Sequence, residues 1–100
     1  MGKEEIYIIE DEYAREFHAF KNRNAAIQKM FEGCLQFGAV LYISNPASSV
    51  KKPFMQYVTL SSLYPTKDER LEYLFSRSLV ELNDIFENYW SIYECKIEDS

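Results

Sequence analysis

Glycine, proline, cysteine and histidine are all scarce in this 100-residue chain, with three, three, two and one of each. The scarcity excludes most local chemistry. Gly33 and Gly38 flank Cys-Leu-Gln-Phe without the spacing of a phosphate loop, and no GxGxxG, GxxxxGK[ST] or GxSxG occurs. Cys34 and Cys95 form no CxxC. The expectation is two buried thiols, with a disulfide between them the competing arrangement. A lone His18, between Phe17 and Ala19, has no partner nearby to seed a zinc site or a nucleophile–base pair, so no catalytic, cofactor or metal residue is assigned. Long hydrophobic runs are missing too. Nothing approaches the roughly 18 apolar residues of a membrane span. Met-Gly-Lys-Glu-Glu is not a secretory leader, and Ile6 breaks the myristoylation pattern. The expectation is a soluble, cytoplasmic protein without a membrane partner.

What is present is apolar and aromatic. Hydrophobic residues make up 47%, including eight Tyr and seven Phe, which is enough for a folded core and places residues 1–100 in a single domain. The net charge of −5 is segregated. Residues 1–20 carry −4, residues 21–52 carry +4 and the remainder carries −5. Acidic and basic faces can complement each other within one globule or across a dimer. Alternatively Lys21, Arg23, Lys51 and Lys52 form a local contact for an anion or nucleic acid.

Ile6-Tyr7-Ile8-Ile9 reads as a buried strand. Tyr13, Phe17 and Phe20 then follow a helical stripe. The same stretch is weakly period-two, so residues 11–21 are open between a helix and the second arm of a hairpin over 5–20. A second helical stretch runs from an Asn24 N-cap through Ile27, Met30, Phe31, Cys34 and Leu35 to Gly38. Residues 39–43 and 54–60 read as strands joined by a loop over 44–53 that carries Lys51 and Lys52. Thr66 and Glu69 form a capping box.

From Thr66 to Cys95 the pattern predicts one long helix. Phe75, Leu79, Leu82, Phe86, Tyr89 and Tyr93 recur at 4-3-4-3-4 spacing, a heptad seam. Such a helix is about 43 Å long, longer than the ~33 Å diameter of a compact domain of this size. The surplus apolar face predicts a homodimer, with Phe75, Leu79, Leu82, Phe86, Tyr89, Trp90 and Tyr93 at the shared or partner surface. The fold class expected is α+β: a small, mostly antiparallel sheet in βαββα order, covered on one face by helices, with a long C-terminal helix.

Glu81, Asp84 and Glu87 recur every third residue, and Arg77 stands four before Glu81. The plain reading is a solvated strip with one helical ion pair. With Glu94 and the neighbouring aromatics they can also fit a basic groove on another protein, as an electrostatic mimic of nucleic acid. In composition, though in no motif, the chain is similar to small acidic accessory and inhibitor proteins of phages and viruses. The function expected is a non-enzymatic interaction module that binds another macromolecule; the alternative is an anion or nucleic-acid module using residues 21–52.

Overall fold

The computed structural model describes residues 3–45 and 57–98. The chain order is β1 (Lys3–Asp11), β2 (Glu16–Phe20), α1 (Arg23–Phe37), β3 (Tyr42–Ser44), β4 (Tyr57–Thr59), α2 (Leu60–Leu63), α3 (Lys67–Phe75), α4 (Leu79–Ile85) and β5 (Trp90–Glu98). The class is α+β, with an antiparallel three-stranded sheet in the order β2-β1-β5 and a separate β3-β4 pair.

Residues 11–20 resolve to the hairpin. The Asp11 carboxylate accepts from the N–H groups of Tyr13 (2.9 Å) and Ala14 (3.1 Å). The Asp11 carbonyl accepts from Arg15 N–H at 2.8 Å, and Arg15 takes the left-handed φ of 59°. A short polar residue that gathers several N–H groups stabilises a turn better than a helix start here. Tyr13 is left outside, its ring 5.1 Å from that of Phe37.

α1 begins two residues earlier than the sequence suggests. Asn22, not Asn24, accepts from Ala25 N–H at 3.1 Å. Gly38 ends the helix at φ 72°, where its N–H reaches the carbonyls of Cys34 and Leu35. Ala26, Ile27, Met30, Phe31 and Cys34 face the core, whereas Leu35 is exposed. Gly33 is where the indole of Trp90 packs: a Cβ there would lie 2.8 Å from the ring.

The long C-terminal helix does not form. α3 starts at Thr66, whose hydroxyl oxygen accepts from Glu69 N–H at 3.2 Å. The same hydroxyl donates to the Glu69 carboxylate at 2.8 Å, so the box closes side chain to side chain. α3 stops at Ser76. Ser78 then caps a new helix, α4, by accepting from Glu81 N–H at 3.2 Å. After a turn through Asn88 at φ 73°, the chain becomes β5, paired with β1 along its whole length. Trp90, Ile92 and Tyr93 are residues that strands favour. The heptad spacing therefore runs across three elements rather than along one.

Among the described residues, one face of the sheet is covered and the other is open. Tyr7, Ile9, Trp90 and Ile92 point into the core with Leu74, Leu82 and Phe86. Their neighbours along the strands point the opposite way: Ile6 and Ile8 are half-buried, and Phe17, Ala19, Tyr93 and Cys95 are exposed. This alternation is the mark of an antiparallel sheet packed on one side only.

Candidate functional site

The residues expected at a dimer seam divide by burial. Leu82 and Phe86 are fully buried and Trp90 nearly so. Phe75, Leu79 and Tyr89 pack half-buried against the same core. Of the seven, Tyr93 alone is exposed, at 49%. The apolar surplus of this segment thus fills the protomer's own interior, because breaking the helix twice folds it back on the sheet. A helix-to-helix seam built on these residues is not available.

The basic candidates are scattered as well. Lys21 is exposed between β2 and α1. Arg23 is half-buried, and its guanidinium donates to the carbonyl of Phe75 at 2.8 Å and to that of Arg77. It serves as a cationic cap on the C-terminal end of α3, joining that end to the start of α1. Lys51 and Lys52, with the 44–53 loop beyond Asn45, lie outside the described residues.

The cysteines are free thiols in unlike settings. Cys34 is buried, and burial, reinforced by the negative charge of Asp11, pushes its thiol up to about 12. Cys95 is exposed on the open sheet face, contrary to the expectation of burial. His18 is half-exposed, its ring 6.2 Å from that of Trp90 and its Nε2 3.8 Å from Glu16. Among the described residues no three His, Cys, Asp or Glu gather where they could hold a metal ion.

Two surface features remain. The first is a cleft of about 620 Å³ between the β3-β4 pair and the α3–α4 segment. The short strands create its aromatic wall. Ile43 and Val58 face inward, so the alternate residues Tyr42 and Tyr57 face outward, 56% and 63% exposed. Tyr64 and Tyr73 continue the wall with ring centroids 4.9 Å apart. Burial raises the Tyr73 hydroxyl pKa, partly offset by Arg77, whose guanidinium lies 4.8 Å over the ring. The opposite wall is acidic. Arg77 pairs with Glu81 at 3.3 Å, and the exposed carboxylates of Asp84 and Glu87 lie beyond it. The expected i,i+4 pair is thus present. The three acids are brought together with tyrosines that the sequence left unassigned, because Tyr42 and Tyr57 reach the cleft only through the β3-β4 pairing. Glu94 stands apart on β5, across from Tyr7.

The second feature is the outer edge of β2. Alternation along the ladders turns the N–H and C=O groups of Phe17 and Ala19 away from β1. Among the described residues nothing bonds to them. The outer edge of β5 is handled otherwise. Trp90 N–H donates to the Phe86 carbonyl at 2.9 Å. The Asn83 amide accepts from Ile92 N–H at 2.8 Å and donates to its carbonyl at 2.9 Å.

Set against protein-family models, curated proteins and solved structures, the chain matches none of them. No helix among the described residues is long and apolar enough to cross a membrane.

Proposed function

We propose that the protein is a small, non-enzymatic, homodimeric interaction module that acts by binding another macromolecule, and that the tyrosine-and-carboxylate cleft receives a cationic segment of a protein partner. One observation carries the reading: the cleft gathers Tyr42 and Tyr57 of the β3-β4 pair with Glu81, Asp84 and Glu87 of the α4 side, where Arg77 bridges Tyr73 and Glu81. Tyrosines supply rigid contact area at low entropic cost. Their faces attract cations, as Arg77 over Tyr73 already illustrates. The carboxylates add the charge preference and speed encounter. A nucleic acid would meet repulsion here, and Arg23, one of the four basic candidates, is committed to holding α3.

The test is calorimetric titration of the intact protein with a lysine- and arginine-rich peptide and with a glutamate-rich peptide of equal length. Binding of the basic peptide alone is expected, weakening at least tenfold in the D84K/E87K variant. Equal binding of both peptides, or no effect of the charge reversal, would overturn the reading.

A further inference from the structure

We propose that two copies of this chain join through the outer edges of β2, forming one antiparallel sheet of six strands. The proposal rests on the homodimeric part of the reading above and gives that dimer its surface.

An unpaired strand edge is a template for another strand, and proteins protect such edges by covering or charging them. In this chain the β5 edge is covered by its own Asn83 and Phe86 over Trp90–Ile92, and then carries the charged Glu94 and Lys96. Among the described residues β2 has no comparable cover. Its outward positions are Phe17, 65% exposed, and Ala19. Neither the aromatic ring nor the methyl group repels a second strand, and the one carboxylate of β2, Glu16, lies at its first position.

The strand also fits itself. Outward groups must meet outward groups, so antiparallel self-pairing has three short registers. Phe17 opposite Phe17 would bring Ala19 against Arg15, which is in the left-handed turn. Ala19 opposite Ala19 would bring Phe17 against Lys21, beyond the strand. Phe17 opposite Ala19 overlaps all five residues of Glu16–Phe20 and forms four main-chain bonds. It lays a large ring over a small side chain twice. It also sets Glu16 against Phe20 and His18 against His18, so that no carboxylates face each other. Because each copy has one such edge and the contact is two-fold, pairing consumes both edges and the assembly closes as a dimer. The open sheet faces become one surface, with Phe17 of each copy at its centre.

The register places His18 beside its counterpart at a non-hydrogen-bonded position, with Cα atoms about 4.5 Å apart. That distance is within the range a disulfide spans. The first measurement is the mass of the wild-type protein by light scattering at about 100 μM. The mass of two chains is expected, and that of one chain would overturn both this proposal and the homodimeric reading. The second uses Ala19→Pro, which removes an N–H that the protomer itself does not use; proline is tolerated on edge strands for that reason. One bond per copy is lost, so the dissociation constant should rise about a hundredfold, with the Trp90 emission and far-ultraviolet spectrum unchanged. The third measurement does not depend on that variant folding. In the H18C/C95S protein, diamide should take two electrons and two protons from a pair of thiols, becoming the hydrazine while the S–S bond forms and links two chains. F17C/C95S should stay uncross-linked. A dimer that ignores Ala19→Pro, or that fails to cross-link through H18C, would overturn the edge pairing while leaving the homodimeric reading standing.

Discussion

β5 and β2 flank the same central strand, yet one meets its own chain on its outer edge over Trp90–Ile92, whereas among the described residues nothing meets the outer edge of the other. The contrast comes from the element that adjoins each strand in sequence. β5 is preceded by α4 and a tight turn, so Asn83 and Phe86 are delivered to its edge by chain connectivity. β2 leads into α1, which crosses onto the covered face to pack Ile27, Met30 and Phe31 into the core. Nothing among the described residues is thereby left to shield Phe17 and Ala19. Closure of one edge and openness of the other are consequences of the same packing. A partner strand can therefore be added at β2 without disturbing the protomer.

The closed edge is rooted at Phe86. Phe86 is fully buried, and its carbonyl accepts from both Tyr89 and Trp90 N–H groups at 2.9 Å. Phe86→Ala should cost about 3–5 kcal/mol in urea unfolding, the usual penalty for emptying a packed aromatic site. Phe17→Ala, on the open edge, should leave the monomer's intrinsic stability within about 0.5 kcal/mol. Comparable losses at the two positions would mean that the open edge is not open.

A finer cut is Asn83→Ala. The carboxamide makes three main-chain bonds, two to Ile92 and one to the Leu79 carbonyl at 3.0 Å. Its removal strands the N–H and C=O of Ile92, at a cost of about 1–3 kcal/mol. Amide exchange at Ile92 should accelerate more than at Tyr93, whose N–H pairs with β1. Equal protection of Ile92 in both proteins would show that α4 merely lies near the strand.

Much of the fold was legible and some of the rest was legible but misread. The α+β class, the core face of α1, Gly38 and the Thr66 cap come from short-range pattern. The long helix was an error of period: Phe75, Leu79, Leu82 and Phe86 are spaced as in a heptad, but Ser78-Leu79-Val80-Glu81 repeats the Thr66–Glu69 capping signature and marks a fresh helix start. Trp90, Ile92 and Tyr93, shortly after Asn88, also carried strand preference. Tyr93 apart, the apparent seam residues are core residues drawn from three separate elements. The cleft was half legible. Its acids lie within one short stretch, whereas Tyr42 and Tyr57 join them only through strand pairing over a long sequence separation. The open edge of β2 was illegible once residues 11–21 were undecided, because a helix has no edge.

The smallest expected effect contrasts the two faces of the sheet through the two thiols. Cys95 sits on the open face; Cys34 lies beneath the covered one. At pH 8 a thiol reagent should modify Cys95 rapidly and Cys34 only on unfolding, since the thiolate is the reactive form. Burial raises the Cys34 pKa from 9.0 to about 12, so between those values the unfolded chain gives up this proton and the folded chain keeps it. The unfolded state then binds fewer protons, and linkage makes stability fall as pH rises through that window. The wild-type melting temperature should therefore drop from pH 9 to pH 11. Cys34→Ala should start lower, having lost packing, but should decline less steeply, because the buried proton is gone. Parallel declines in the two proteins would mean that Cys34 contributes nothing to the alkaline limb, and equal labelling of the two thiols would mean that its cover is incomplete.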